Sequence, residues 1–336
     1  MSKFYFLLFC LFFFSGTIIR AQTIVNLQQG KSTSIRGLSI VNDNTAWISG
    51  SNGTVAITKD GGKTWAWQQV KNFEKSDFRD IEAFSDKEAV IISSGSPAYI
   101  LKTIDGGKSW EKKFEQKDTT YFLDAMDFKN AKHGYVLGDP INGKFLLLET
   151  KDGGNTWAQL GDAPDAIKNE AAFAASGTCI RVDRSITIAT GGAKSRIISA
   201  PISQLKWTYE EIPLTDGIVS RGAFSIAIGK TEKVVVGGNY ARDKLKDSVA
   251  FIISTNKASV KNAFPTKGPA GYQSCIEYID GNTYLATGTS GTNLTTDGGR
   301  TWNCIDLSSY NVCRRAKNGK LVLLAGDKGN IGLLKF

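Results

Sequence analysis

The octapeptides TKDGGKTW (58–65), TIDGGKSW (103–110), TKDGGNTW (150–157) and TTDGGRTW (295–302) are near-copies of one another. Their tryptophans, Trp65, Trp110, Trp157 and Trp302, stand 45, 47 and 145 residues apart, so the last interval spans three such periods. A unit that recurs at this period cannot bury its hydrophobic face alone, and stacked copies must share a core. The wide interval predicts two eroded copies, near 205 and 255. RIISAPISQLKW (196–207) still ends on Trp207, and AFIISTNKASV (250–260) keeps a strand but has lost the glycines and the tryptophan.

The segment upstream of each box repeats as well. Units start near 35, 78, 122, 173, 220, 272 and 312, as in IRGLSIVNDNTAWISG, FRDIEAFSDKEAVIIS and FAASGTCIRVDRSITIATGG. Each reads as a short strand, a polar turn and a β-rich strand ending at glycine, followed by a third strand into the box. Seven such units predict an all-β, seven-bladed β-propeller over residues 22–336. The last unit stops after its third strand at NIGLLKF (330–336), while QTIVNLQQG (22–30) is a strand with no unit of its own. The N-terminal strand is therefore expected to complete the last blade and cover its open edge.

MSKFYFLLFCLFFFSGTIIRAQ has Lys3, an apolar run and a small residue at Ala21. It reads as a signal peptide over 1–21, which makes the mature chain periplasmic or secreted, with no integral membrane anchor. Cys10 follows Phe9, whereas a lipid-anchored cysteine calls for small residues before it. Without Lys3 and Arg20 the net charge falls from +9 to +7, which favours acidic partners such as anionic peptides, glycans or a membrane surface. No Lys/Arg run reaches five residues, so nucleic acid is not expected as a partner. Cys179, Cys275, Cys304 and Cys313 allow three disulfide pairings, or buried free thiols. A monomer is expected.

The pattern S/T-x-D-G-G-x-T/S-W resembles the Asp-box (BNR-type) repeat of bacterial sialidases, sortilin-type receptors, xyloglucan-cleaving glucanases and photosystem II assembly factors. The residues themselves suit a turn: Asp60, Asp105, Asp152 and Asp297 can accept backbone N–H bonds, and the glycine pairs supply positive φ. The tryptophans bury large apolar area between sheets. A calcium loop would need spaced carboxylates and a closing glutamate, which are missing. The resemblance implies that these hairpins lie at the outer rim, on the face away from the binding site. The box is read as stitching.

In a propeller the innermost strands line a central channel, and their starts open opposite the boxes. The expected mouth gathers Arg36, Arg79, Asp139, Arg196, Arg221, Tyr240, Arg242 and Tyr272 as ligand-binding residues. Arginine there suits bidentate recognition of carboxylate, sulfate or phosphate; the alternative is a ring of inter-blade Arg–Asp pairs serving stability. The sole histidine, His133, falls in a turn on the other face, which leaves no Ser-His-Asp triad and no His-rich metal site. No dinucleotide cradle occurs, so neither cofactor nor metal is expected and nothing supplies redox chemistry. A sialidase reading fails because no Phe-Arg-Ile-Pro stretch is present and those enzymes use six blades. Asp80 and Asp124 share a register position in adjacent blades and are the candidate catalytic residues of a glycoside hydrolase or lyase. The expectation is that each instead bonds an arginine or backbone N–H, with a lowered pKa.

Seven units, the boxes, the leader and the arginine-bearing mouth together resemble photosystem II stability and assembly factor-like propellers over residues 22–336. The resemblance implies an exported, non-catalytic scaffold that holds a client protein segment or anionic ligand. The alternative is the glycan-active enzyme.

Overall fold

A computed structural model describes residues 22–255 and 262–336. The leader-like segment with Cys10, and the end of the eroded unit at 256–261, lie outside the described residues. The chain forms seven antiparallel sheets arranged as propeller blades, with no α-helix among the described residues. Blade one comprises Ile35–Ile40, Ala46–Gly50, Thr54–Thr58 and Ala66–Gln69, from channel to rim. Blades two and three repeat this plan from Asp77–Ala83 and Leu123–Phe128, blade four from Ile180–Val182, blade five from Arg221–Ile228, blade six from Cys275–Asp280 and blade seven from Val312–Arg315.

The inner three strands of a blade carry runs such as Val90-Ile91-Ile92, Leu146-Leu147-Leu148 and Val234-Val235-Val236, buried throughout. Each blade packs against a neighbour on both faces, so these strands are apolar on both sides rather than alternating. Trp47, Val55 and Ile57 of blade one thus pack on Phe78, Ile81 and Ile91 of blade two. Val90, Ile92 and Ile100 then meet Leu123, Met126 and Val136 of blade three. The ring closes where Leu323, Leu324 and Ile331 of blade seven share a core with Ile40 and Ile48 of blade one.

Closure follows the expectation. Thr23–Gln28 is the outermost strand of blade seven, antiparallel to Ile331–Lys335, with Thr23 opposite Lys335 and a register shift between Asn26 and Gln28. The two eroded units are also in place. Blade four keeps its outer strand, Thr208–Glu211, and Trp207 donates to Asp162 O at 2.6 Å. In blade five Ile252 bridges Ala263, and the sheet gains Gly191–Gly192 and Glu170–Ala171 beyond its innermost strand.

One expectation needs correction. The unit placed near 173 begins its strand at Ile180, and Phe173–Cys179 is not a strand. This run, mostly of small residues after Phe173, lies across the top of the channel, where a Cβ at Gly177 would already fall 2.2 Å from Asp80.

Candidate functional site

The boxes form identical turns on one face, here called the bottom. Asp60 accepts Thr58 Oγ1 at 2.8 Å, the Thr64 N–H at 2.9 Å and Thr64 Oγ1 at 2.6 Å. Asp105, Asp152 and Asp297 repeat the set within their own boxes. These bonds hold Asp60, Asp105 and Asp152 down at a pKa of about 2, the hydroxyl four residues on being the largest cause. The first glycine donates to the turn between the first two strands of its own blade, as in Gly61 to Asn44 O at 2.9 Å and Gly153 to Lys132 O at 2.8 Å.

The second glycine faces the preceding blade. A Cβ on Gly62 would sit 3.0 Å from Leu27 of blade seven, on Gly107 3.2 Å from Trp47 of blade one, and on Gly154 2.9 Å from Val90 of blade two. On Gly299 it would sit 3.3 Å from Val234 of blade five. All four have φ between 83° and 90°, which only glycine adopts without strain. Trp302 is fully buried and donates to Gly299 O at 2.9 Å; Trp110 meets Trp47 edge-on at 6.3 Å. Each of the four boxes therefore joins its blade to the one before it.

At the opposite face, the top, Phe173–Cys179 closes the channel and draws in residues from five blades. Arg36 donates to Ala175 O at 3.2 Å and Arg79 to Ala174 O at 3.4 Å. The Ala174 N–H bonds Asp124, and Ser176 Oγ donates to Ser274 O at 2.8 Å. Thr178 shares a hydroxyl contact with Ser225, and Phe173 stacks on Phe224 at 3.8 Å with an interplanar angle of 8°. Gly177 has φ +67°, and a Cβ there would lie 2.2 Å from the Asp80 carboxylate.

This plug reorganises the expected mouth. Arg36 and Arg79 do meet there but spend donors on the plug, and Arg79 also bonds Asp77 at 2.7 Å. Arg196 is buried, paired with Glu170, and packed over the Tyr209 ring at 4.7 Å, so it belongs to the interior of blade four. Arg221 reaches Asp216 at 3.1 Å and Asp247 O at 2.9 Å. Tyr272 is buried beneath Phe224, whose ring centroid is 4.9 Å away. Tyr240, 54% exposed, and Arg242 are the exposed members of the set, while Arg36, Arg79, Asp139 and Arg221 are half-buried.

Asp80 and Asp124 are both about 1% exposed, beneath the plug rather than at an open mouth. Asp80 accepts the Ile81 N–H at 2.8 Å and the Met126 N–H at 2.7 Å, as expected. The expected lowering of their pKa values is reversed. Burial pushes Asp80 up to about 8 against the pull of Arg314 and the two N–H groups. Asp124 is raised by burial and by the charge of Asp139, itself pushed up to about 6 by burial. Asp124 Oδ2 and Asp139 Oδ1 are buried without a hydrogen-bond partner among the described residues.

The large concavity lies on the bottom face, where the channel widens into a cavity of about 800 Å³. Sequence reasoning looked at the other end of the channel. In its throat Glu277 takes Arg181 at 3.3 Å and Arg314 at 3.7 Å, and Glu82 pairs with Lys317. Asp127 accepts the Val182 N–H at 2.6 Å and is pushed up to about 6 by burial, with Arg181 opposing. Around the rim stand Lys129, Arg184, Lys233 and Arg315, interleaved with Phe84, Phe128 and Tyr278. The side chains of Arg184 and Arg315 make no hydrogen bond or ion pair among the described residues. Their positions at the ends of inner strands four and seven were legible as a second basic ring. His133 lies in a turn at this face, 2.8 Å from Glu149.

Comparison with known proteins agrees with this architecture. Residues 20–119 match a family profile described as photosynthesis system II assembly factor YCF48. The photosystem II assembly lipoprotein Ycf48 of Synechococcus sp. (strain CC9902) is 21% identical over 302 residues, covering 88% of this chain and 83% of that protein. A solved structure titled YCF48 bound to D1 peptide superposes with a TM-score of 0.66 at 16% identity, covering 95% of this chain and 96% of the other. A virginiamycin B lyase from Staphylococcus aureus, crystallised as the inactive H270A variant with quinupristin, gives 0.67 at 15% identity over 94% and 100%. The chain is an Asp-box seven-bladed propeller that resembles the photosystem II stability and assembly factors.

Proposed function

We propose that this protein is a non-catalytic scaffold that holds an acidic, extended segment of a client protein in the channel mouth on the Asp-box face. The observation that carries this reading is the cavity of about 800 Å³ there, rimmed by Lys129, Arg184, Lys233 and Arg315, while the other mouth is plugged. Guanidinium groups beside Phe84, Phe128 and Tyr278 suit a peptide, which offers carboxylates and apolar side chains together. The similar protein titled as bound to a D1 peptide supports a protein segment as the partner class. The placement of Asp80 and Asp124 under the plug weighs against a glycosidase, whose carboxylates must flank a substrate bond. We also read residues 1–21 as an export signal and 22–336 as one propeller that works as a monomer outside the cytoplasm.

The test is titration of a fluorescein-labelled Asp/Glu-rich peptide. Binding is expected to weaken with salt and to be lost in the double variant Arg184→Glu, Arg315→Glu, with Arg242→Glu on the plugged face unaffected. The reverse pattern, loss only with Arg242→Glu, would move the site to the top.

A further inference from the structure

We propose that Cys275 and Cys313 are a modification site, a dithiol pair that oxidises to a disulfide joining the innermost strands of blades six and seven as the ring closes. The two sulfurs are 3.8 Å apart, both side chains fully buried. Cys275 Sγ accepts the Cys313 N–H at 3.4 Å and lies 3.3 Å from Cys313 O, so it rests against the backbone of its partner. Beside it Ser274 Oγ donates to Asn311 O at 2.7 Å, which holds the two strands in register. A disulfide needs the sulfurs at about 2.05 Å, so the bond would close a gap between two thiols that already touch. The other described cysteines stand apart from this pair: Cys179 is buried in the core shared by blades three and four, and Cys304 is exposed on the outer strand of blade six.

The pair is chemically asymmetric. Burial alone would raise Cys275, but the Cys313 thiol donating to it and the Arg314 guanidinium bring it down to about 6, while burial and that same contact raise Cys313. Cys275 is thus the attacking thiolate and Cys313 the resolving thiol. The oxidant is a donor disulfide, such as oxidised glutathione. Cys275 attacks one donor sulfur, breaking the donor S–S bond and releasing the first thiol. Cys313 then attacks the Cys275 sulfur of the mixed disulfide, and its proton leaves with the second thiol. Two protein thiols become one disulfide and one donor disulfide becomes two thiols. The finished blade interface shields both sulfurs, so the donor reaches Cys275 while blade seven is closing and Cys313 and Arg314 already stand beside it.

The full chain is unfolded under reduction and refolded with either oxidised glutathione or dithiothreitol, then alkylated and mass-mapped. Oxidative refolding is expected to remove two alkylatable thiols, to give a Cys275–Cys313 cross-linked peptide, and to raise Tm relative to the reduced protein. In Cys313→Ser, Cys275 should retain a glutathione adduct, whereas Cys275→Ser should leave Cys313 free. Full alkylation of Cys275 and Cys313 after oxidative refolding, a cross-link to a different cysteine, or an adduct trapped only on Cys313 would each overturn the proposal. The wild-type readout is chemical and does not depend on either serine variant being stable.

Discussion

At the scale of single residues the carboxylates divide into two populations with opposite pH behaviour. The box aspartates Asp60, Asp105 and Asp152 sit at about 2, below the unfolded value of about 3.9, so what they contribute is present above that value and is lost on acidification. Asp80 at about 8 and Asp139 at about 6 lie above it. The folded state holds their protons more tightly, so the stability they give is complete below about 4 and is lost as pH rises through 6 and then 8. Unfolding followed by urea should therefore show greatest stability on the acid side of neutrality, with a fall below about pH 4 and another between about pH 5 and 8. Asp124→Asn supplies a neutral group that still accepts the Ala174 N–H and can donate toward Asp139. It should stabilise the protein at pH 8 by roughly 1–3 kcal/mol, the scale of an unsatisfied buried polar group, and flatten the alkaline fall. A steeper alkaline fall in that variant would mean that the two carboxyls are not in competition.

At the scale of elements, blade contacts explain why the boxes recur while function does not follow them. Trp302→Ala empties a fully buried aromatic site and should cost about 3–5 kcal/mol, read from the urea midpoint, with peptide affinity unchanged in the folded fraction. The same logic applies to the closing strand. Ile24 and Leu27 pack on the blade-seven core, and Thr23–Gln28 covers the edge of Ile331–Lys335. Deleting residues 22–30 should lower Tm sharply and produce concentration-dependent association through the exposed edge; a truncated chain that melts like the parent would refute closure by this strand. These features were legible because they are periodic. Box spacing, strand runs and the strand surplus at the two ends all repeat or count. The plug was not legible, because Phe173–Cys179 has no periodicity and its composition passes for a weak strand. One signal was available: 23 residues separate Trp157 from Ile180, whereas 13 separate Trp65 from Phe78 and Trp110 from Leu123. The individual arginines of the expected mouth were also beyond sequence, since pairing with Glu170 or a plug carbonyl depends on contacts made across blades.

At the scale of the whole molecule, a plug that touches five blades acts as a central tie across the top of the ring, as the throat pairs Arg181–Glu277 and Lys317–Glu82 each span one blade at the bottom. Gly177→Val tests this directly. At φ +67° a β-branched residue is strained, and its Cβ would fall 2.2 Å from the buried Asp80 carboxylate. The segment must lift, taking with it the acceptors of Arg36 and Arg79 and the Ser176 bond to blade six. Two consequences separate a tie from a passive loop. Stability should fall by at least about 3 kcal/mol, combining left-handed strain with the loss of several buried hydrogen bonds. Cys179, buried at the base of the plug with its thiol pushed up by burial, should become reactive toward maleimide in the native state, as is expected of the exposed Cys304 in the parent. Affinity for the acidic peptide at the opposite face should hold, because the rim side chains Lys129, Arg184, Lys233 and Arg315 share no hydrogen bond or ion pair with the plug among the described residues. A variant that keeps Cys179 protected and its Tm unchanged would show that the ring closes without the tie. Loss of peptide binding in a variant that stays folded would place the plugged face, rather than the Asp-box face, in contact with the client.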